Sequence, residues 1–489
     1  MLRRLRILLA VLCFTGLCLL FVDVSGLVRP RLAFLAEIQL VPALLSGSLL
    51  VFGGLLVLTL VFGRLYCSVI CPLGVLQDVI RHWNKKGRHS FTRGKTLVRV
   101  AALAVFIGAF AAGIPLLFNL LEPYSAFGRI AATLFEPLWT TGNNALALGA
   151  ERMGSVAVSA VPVWQKGLSA LVAASLTLLV VGWMAWKHGR TWCNTICPVG
   201  TLLGCVSRFS LLRPRIDAEH CVNCGRCAAV CKASCIDVER HGIDASRCVA
   251  CFNCLSACRK GALSSGPTIK KREKPHDGDA QNNIQEKTRP DPSRRALLLA
   301  VTALVSAPRP ALAGAPDIPA LTRKLRQARS VPITPPGSQG LRAFSARCTG
   351  CQLCVSACPH QALRAFDAGL GRLQPSLSFE HGYCRVNCVA CSTVCPTGAI
   401  QSMTPSRKSA LQIGHAVIRP ERCIIATDGV PCTACSRNCP AGAIRLVGER
   451  RLPAVDTERC TGCGACEYVC PARPYAAVQV EGNLVHRPI

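Results

Sequence analysis

The sequence is poor in acidic and aromatic residues. Its 489 residues include 26 Asp and Glu against 56 Lys and Arg, which gives a formal net charge of +30. Aromatic residues make up only 6%, and the sequence contains no nucleic-acid-binding motif, so we expect no nucleic-acid partner. It contains no C-x-x-C-H haem-attachment motif and no molybdenum-cofactor domain, so any haem or molybdenum centre belongs to another protein. The basic excess instead suits cytoplasmic loops of a membrane protein, acidic lipid headgroups or an acidic redox partner.

Cysteine and apolar residues are abundant. The chain has 32 cysteines, most of them in tight groups of four, which is typical of metal sites rather than of a disulfide scaffold. Its length predicts two or three domains. The hydrophobic fraction of 51% and the mean hydropathy of +0.35 indicate that part of the chain lies in lipid.

Four apolar segments are long enough to predict membrane-spanning helices, since a helix needs roughly 20 apolar residues to cross a bilayer. They are about Leu5–Val22, Gln39–Gly63, Leu97–Leu121 and Leu168–Trp186. Lys and Arg concentrate at the N-terminus, after the second segment and after the fourth. This distribution predicts a multi-pass protein with a cytoplasmic N-terminus and with residues 122–167 on the opposite side of the membrane. Within that stretch, Ile130–Trp139 is apolar but too short to span, and predicts an interfacial helix.

A polar linker and a possible export signal follow. Residues 264–290 carry charges of both signs and several prolines, which predicts a disordered linker. In residues 291–314, Arg294 and Arg295 precede an apolar run that ends in Ala311-Leu312-Ala313. This order predicts a twin-arginine export signal. A fifth membrane anchor and a buried helix with a chance arginine pair are the alternatives. A signal or an anchor would place residues 315–489 outside the cytoplasm.

Six groups of four cysteines have the spacing of ferredoxins. Four follow C-x2-C-x2-C-x3-C, and two have a longer first gap. The groups are Cys221, Cys224, Cys227 and Cys231; Cys248, Cys251, Cys254 and Cys258; Cys348, Cys351, Cys354 and Cys358; Cys384, Cys388, Cys391 and Cys395; Cys423, Cys432, Cys435 and Cys439; and Cys460, Cys463, Cys466 and Cys470. Structural zinc sites use two separate C-x2-C pairs instead. The sequence therefore predicts about six [4Fe–4S] clusters, with iron bound through these cysteines.

The fourth cysteine of each group predicts how the groups combine. In two-cluster ferredoxins it ligates the other cluster. We therefore expect Cys258 to join the first three cysteines of the first group, and Cys231 to join those of the second. For residues 315–489 two combinations are open: sequential pairing of the groups, or first with fourth and second with third. The nearby thiol of Cys235 is expected to be a bystander.

A second motif, C-x3-C-P, occurs twice beside apolar segments. Cys67 and Cys71 precede Pro72, and Cys193 and Cys197 precede Pro198. Cysteines four residues apart share one face of a helical turn. These four are candidate redox-active thiols, metal ligands or parts of a docking surface, and simple core packing is the alternative.

The motifs resemble two known families. Residues 1–263 resemble the NapH/MauN family of membrane quinol-dehydrogenase components in the C-x3-C-P motifs, the two four-cysteine groups, the Gly63–Cys67 lead-in and the Glu122–Arg129 stretch. Residues 291–489 resemble the NapG/MauM family of exported four-cluster ferredoxins with a twin-arginine signal. Both families would be joined here in one polypeptide.

The resemblance implies a fold and a function. The expected fold is an α-helical membrane bundle at 1–212, with α+β ferredoxin-like domains at 213–263 and 315–489. In a bacterial inner membrane, electrons would pass from the quinol pool through the clusters to a periplasmic reductase, such as nitrate reductase, or to a c-type cytochrome. The chain would be a quinol dehydrogenase component or an electron carrier. Glu122, Tyr124 and Arg129 are candidate quinol contacts. The alternative is a maturation factor that supplies reducing power to a periplasmic metalloenzyme.

Overall fold

The computed structural model describes residues 2–23, 26–84, 90–153, 155, 159–161, 163, 167–267, 324, 328–365 and 373–489. The expected export signal and nearly all of the expected linker lie outside these residues. The linker's first four residues belong instead to a strand at Leu263–Pro267, so the predicted boundary after residue 263 falls inside a strand.

Helices make up the described part of residues 2–207. They are Leu2–Val22, Arg29–Leu32, Phe34–Glu37, Leu40–Leu45, Leu49–Phe62, Leu65–Val69, Pro72–Trp83, Thr96–Ala111, Pro115–Leu121, Pro123–Ile130, Glu136–Arg152, Leu168–His188, Thr191–Thr195 and Pro198–Ser207, with a π-helical turn at Ala131–Phe135. Among the described residues, two helices are long and apolar enough to cross a membrane, Leu2–Val22 and Ser169–His188.

The two other expected spans are broken into shorter helices. Gly47, at a φ of +76°, separates Leu40–Leu45 from Leu49–Phe62. Gly113, at +65°, and Pro115 end the helix Thr96–Ala111 before its expected limit. At about 1.5 Å per residue, helices of 14 and 16 residues are shorter than the roughly 30 Å hydrocarbon core. The lengths of the apolar segments predicted helices here, but the breaks at Gly47 and Gly113 were missed.

The stretch after Leu121 is helical from Pro123 to Arg152 and is buried at its start. The Glu122 carboxylate accepts hydrogen bonds from the backbone N–H groups of Tyr124, at 3.1 Å, and of Ser125, and so caps the helix. Phe127 packs on Phe21, with ring centroids 6.1 Å apart. The expected short interfacial helix is therefore part of a longer, partly buried helical segment.

Short antiparallel strands alternate with one-turn helices in the cysteine-rich parts. The strands are β1 (Leu212–Ile216), β2 (Ile236–Asp237), β3 (Gly242–Ile243), β4 (Leu263–Pro267), β5 (Leu363–Arg364), β6 (Ser376–Leu377), β7 (Leu411–Ile418), β8 (Ile444–Val447), β9 (Leu452–Val455) and β10 (Val478–Pro488). In the described chain, β1 pairs with β4, β2 with β3, β5 with β6, β7 with β10 and β8 with β9. The helices are Arg226–Ala229, Asn253–Ala257, Leu341–Arg347, Leu353–Ser356, Ala390–Thr393, Pro405–Ser409, Ile424–Thr427, Ala434–Arg437 and Ala465–Val469, with a 3-10 turn at Pro420–Arg422. This is the α+β pattern expected of ferredoxin-type domains.

Candidate iron–sulfur centres

The two groups in residues 213–263 combine as expected from the fourth cysteine. A cavity of about 300 Å³ is lined by the thiol-bearing residues Cys221, Cys224, Cys227 and Cys258. Cys254 has the charges of Cys248, Cys251 and Cys231 as its neighbours. Each centre thus receives three cysteines from one group and the last cysteine of the other.

Cys235 lies closer to a centre than the sequence indicated. It is buried, and its Sγ atom lies 3.6 Å from the Sγ of Cys231. Cys248 is a second electrostatic neighbour. The fifth thiol therefore contacts one of the predicted ligands instead of standing apart from them.

In residues 328–489 the structure combines the groups sequentially. Cys395, the last cysteine of the second group, lies near Cys348, Cys351 and Cys354 of the first group. Cys358, the last cysteine of the first group, lies near Cys384, Cys388 and Cys391 of the second. Cys439 likewise neighbours Cys460, Cys463 and Cys466, and Cys470 neighbours Cys435. The backbone N–H of Cys384 donates to the carbonyl of Cys463 at 3.0 Å, which joins the two units.

The protein environment of these thiols fits iron–sulfur clusters. Backbone N–H groups of Ile400, Ala443 and Ala477 donate to the sulfurs of Cys395, Cys439 and Cys470 at 3.3–3.4 Å. Such bonds tune the potential of a cluster. Among the described residues, no group of three or more His, Cys, Asp or Glu side chains is placed to hold a single metal ion. Ligands of a cubane bind separate irons, so they need not converge on one point.

Burial raises the pKa of several cluster thiols. Burial and the neighbouring Cys395 together raise the pKa of Cys351 to about 12. Burial also raises the pKa of Cys384 to about 11. Thiolate is the form that binds metal, so cluster binding must displace these protons. The free energy of cluster binding is therefore also folding free energy for these segments.

The two C-x3-C-P motifs come together in one buried group, which we call the central cysteines: Cys67, Cys71, Cys193 and Cys197. Each is at most 5% exposed. Cys71 has Cys67 and Cys193 as electrostatic neighbours, and Cys197 has all three others. The expectation that Cys67 and Cys71 share one helical turn is wrong. The residue before a proline avoids the α region, so Cys71 is extended and precedes the next helix at Pro72.

Two buried arginines, one beside each C-x3-C-P motif, bind the backbone of the other motif. The Arg64 guanidinium donates to the Cys193 carbonyl at 2.9 Å and to Asn194 Oδ1 at 2.7 Å. The Arg190 guanidinium donates to the Cys67 carbonyl. Both arginines are at most 1% exposed. Sequence reasoning missed this pair, although the repeated pattern G-R-x2-C-x3-C-P-x-G, at Gly63–Gly74 and Gly189–Gly200, carried the signal.

The last residue of each repeat is a glycine, and the absence of a side chain there leaves room for the arginine of the other repeat. A Cβ atom on Gly74 would lie 2.3 Å from the Cys67 carbonyl oxygen and 2.8 Å from Arg190 Nη1. A Cβ on Gly200 would lie 2.2 Å from the Cys193 carbonyl oxygen and 2.7 Å from Arg64 Nη2. The two repeats therefore form equivalent contacts: the arginine of each repeat binds the carbonyl of the first cysteine of the other repeat, beside that repeat's last glycine.

Asp78 connects this region to the two-cluster segment at 213–263. Its carboxylate contacts Arg190 at 2.8 Å, Lys232 at 3.0 Å and Arg6 at 3.3 Å. Lys232 directly follows Cys231 in the chain, and its carbonyl accepts a hydrogen bond from the Arg190 backbone N–H at 2.9 Å. The network holds the first helix, the second C-x3-C-P motif and a cluster loop together.

The buried helical segment at Pro123–Ile130 contacts the cysteine group of Cys348, Cys351, Cys354 and Cys358. A Cβ on Gly128 would lie 2.3 Å from the carbonyl oxygen of Cys351. Thr133 Oγ1 and Gln352 Oε1 are 3.3 Å apart, and the Glu136 carboxylate accepts a hydrogen bond from Ser356. The helix-rich and cysteine-rich parts therefore contact one another directly at these residues.

The three candidate quinol contacts are buried in this junction. Glu122, Tyr124 and Arg129 are at most 1% exposed, and all three have Cys351 as an electrostatic neighbour. Glu122 caps a helix, and Arg129 donates to the Asn119 carbonyl at 2.8 Å. The structure thus gives Glu122 and Arg129 packing roles beside a cluster motif rather than positions on an open loop.

Two family models match the chain. A model described as a 4Fe-4S binding domain matches residues 46–90 and 169–217, which contain the two C-x3-C-P motifs. A 4Fe-4S dicluster domain matches residues 347–399 and 430–473, which contain the sequentially paired groups, except for Cys423. No solved structure matches the chain.

Several ferredoxin-type proteins are similar to the chain. Over 193 residues it is 32% identical to the methylamine utilization ferredoxin-type protein MauN of Paracoccus denitrificans, which covers 39% of the chain and about half, 54%, of MauN. It is 30% identical over 164 residues to the ferredoxin-type protein NapG of Escherichia coli, covering 31% of the chain and 71% of NapG. It is 32% identical over 192 residues to the ferredoxin-type protein MauM of Methylorubrum extorquens, covering 37% of the chain and 84% of MauM. On these matches and the cysteine geometry, the chain belongs to the NapG/MauM family of ferredoxin-type electron-transport proteins.

Proposed function

We propose that the chain is a membrane-bound protein that passes electrons from the quinol pool through six [4Fe–4S] clusters to a periplasmic reductase system. The observation that carries this proposal is the direct contact between Gly128 of the helix-rich part and Cys351 of the first exported group. It brings a cluster motif against the helices that we propose lie in the membrane. The six cysteine groups, combined as described above, are the proposed ligands.

The proposed quinol site is a cavity of about 500 Å³ in this junction. It is bounded by Asp23, Arg29 and Glu136 on one side and by Cys358 and Val394 on the other. Cavities of about 300–1,000 Å³ with a few polar groups are typical of small-molecule sites. Charged groups there can accept the protons that a quinol loses, while the nearby cluster motif accepts its electrons.

The proposed topology follows the charge distribution. We infer four apolar passages in the inner membrane, with Arg3, Arg4 and Arg6 at the cytoplasmic face. Residues 213–263 would then be cytoplasmic and residues 315–489 periplasmic. The broken second and third passages are compatible with this topology, because irregular backbone is tolerated where protein covers it.

The first test is anaerobic EPR of the purified full-length chain in detergent, with iron quantified, before and after addition of a reduced quinol. Six cubanes hold about 24 irons per chain. Cluster signals that grow when quinol is added would support a quinol dehydrogenase component. Clusters that respond to dithionite but ignore quinol would refute quinol oxidation and favour a maturation factor supplied by another donor.

The cavity is tested by a matched pair of variants. Glu136→Gln keeps the shape of the side chain but removes the proton-accepting carboxylate, so we expect quinol-dependent reduction to slow by about 10²- to 10⁴-fold. Dithionite reduction should be unchanged. Glu151→Gln, near the exposed end of the same helix, should leave both rates unchanged. Equal quinol rates in the two variants would rule out a role for Glu136.

A further inference from the structure

We propose that the four central cysteines jointly hold one further iron–sulfur cluster, which relays electrons between the two-cluster segment at 213–263 and the first exported group. The inference rests on the proposed electron-transfer function. It adds a seventh centre, and it assigns the two C-x3-C-P motifs to a single shared site instead of two separate dithiols.

The first argument is the number of thiols. Both [2Fe–2S] and [4Fe–4S] clusters take four cysteine ligands. Each C-x3-C-P motif supplies only two, and the exchanged Arg64 and Arg190 contacts hold the two motifs face to face. One complete ligand set therefore exists only when both motifs contribute.

The second argument is how the thiols are surrounded. The backbone N–H of Gly200 donates to Cys197 Sγ at 3.3 Å. The side-chain amide of Gln77 donates to Cys193 Sγ at 3.3 Å, and Arg64 Nη2 lies 3.9 Å from Cys67 Sγ. Three of the four sulfurs thus have an N–H donor, which suits anionic, metal-bound sulfur better than a packed neutral thiol.

Helix ends add to this positive environment. Cys71 occupies the N-cap position of the 12-residue helix Pro72–Trp83, and the Cys197 side chain caps the 10-residue helix Pro198–Ser207. The N-terminus of a helix carries a partial positive charge that favours thiolate. A bound iron–sulfur cluster would itself stabilise the thiolate form of the four cysteines, which is the form that ligates iron.

The third argument is position. Cys67, Cys71 and Cys197 belong to the same hydrophobic core as Cys251 of the two-cluster segment and Cys351 of the first exported group. Towards the two-cluster segment, Asn194 Nδ2 donates to the Ala233 carbonyl at 3.3 Å, and Arg64 donates to the Ser246 carbonyl at 3.2 Å.

Two buried tyrosines lie between the central cysteines and the cysteine group that contains Cys351. Tyr66 has Cys71 and Glu122 as electrostatic neighbours, while Tyr124 has Cys351 and Tyr66. Packed side chains therefore continue from the central cysteines to both neighbouring centres.

The proposed step is a one-electron transfer: one neighbouring cluster is oxidised as the central cluster is reduced, and the electron then passes to the other neighbour. No bond forms or breaks.

The test uses the full-length chain with Cys71→Ser and Cys197→Ser combined, one change from each motif. We expect the iron content to fall by one cluster, two or four irons, while the EPR signals of the six ferredoxin-type clusters remain. Cys205→Ser, an exposed thiol in the same helix as the Cys197 cap, is the control and should lose no iron. Unchanged iron and an unchanged spectrum in the double variant would overturn the proposal.

A second measurement tests the relay without depending on that variant's folding. In sealed proteoliposomes, external dithionite should reduce clusters on both sides of the wild-type membrane. Gln77→Leu removes one N–H donor to Cys193 and should shift the midpoint potential of one signal only. If no signal shifts, or if external dithionite reaches only the clusters on its own side in wild type, the relay is refuted. Quinol reduction of the exported clusters can persist in either case, so it tests the proposed function separately.

Discussion

Replacing Gly128 with Ala should separate the helix-rich part from the cysteine group that contains Cys351. The added Cβ would lie 2.3 Å from the Cys351 carbonyl oxygen, 3.2 Å from its carbon and 3.1 Å from Phe21 Cζ. Ordinary van der Waals contacts begin at 3.4 Å. The Cys351 backbone must therefore move by about 1 Å, because a carbonyl cannot rotate aside as a flexible side chain can.

The expected cost is about 1–3 kcal/mol, the usual range for an extra methyl group in a packed core. This corresponds to a shift of about 5- to 150-fold in the equilibrium between the packed and separated states. Ala has the higher helix propensity, worth about 1 kcal/mol in favour of the variant, so the net effect lies at the lower end of the range.

The assay is the temperature at which the purified chain loses its cluster absorbance, together with the rate at which quinol reduces the exported clusters. Both should fall in Gly128→Ala. Gly142→Ala is the control, because it lies in the following helix and its Cβ would meet nothing within 4 Å. A Gly128→Ala protein as stable as Gly142→Ala, with an unchanged quinol rate, would show that the described contact does not join the two parts.

Three further predictions concern other regions. Asp78→Asn leaves Arg190, which is 1% exposed, without its charged partner, and should cost about 3–5 kcal/mol by thermal unfolding; Asp217→Asn, in an exposed pair with His220, should cost almost nothing. Cys348→Ala should remove about four irons and lower the resistance of its segment to proteolysis, and an unchanged iron count would contradict its assignment as a ligand. Burial lowers the pKa of His486 from 6.5 to about 4, so the unfolded chain binds a proton at this residue more readily than the folded chain does. The free energy of unfolding is therefore highest above pH 6.5 and decreases as the pH falls towards 4, by about 2 kcal/mol at pH 5. His486→Gln should weaken that pH dependence of unfolding, and an identical pH profile would exclude the assignment.

The ferredoxin-type groups were predictable because their chemistry is local. Three cysteines within seven residues fix the type of centre before any long-range contact is known. The combination of the groups in residues 328–489 was not predictable in the same way. Both sequential and nested pairing satisfy the spacing, and only the packing of Cys395 against the first group, and of Cys470 against the third, distinguishes them.

Hydropathy predicted apolar helices at the right places but overestimated the length of two. Gly47 and Gly113 adopt positive φ, and a window average does not register one such residue. The burial of Tyr124 was also hidden, because its neighbours Phe21, Tyr66 and Cys351 come from distant segments of the chain.

The amino-acid sequence determines the ligand types, the number of cysteine groups and the positions of the apolar helices, because each depends on residues close together in the chain. It does not determine that Arg64 reaches the backbone of Cys193, that Arg190 reaches that of Cys67, or that Gly128 meets Cys351. These contacts join distant segments, and their geometry depends on how the helices pack. The folded arrangement alone turns two separate C-x3-C-P motifs into one buried group and brings it between two cluster segments.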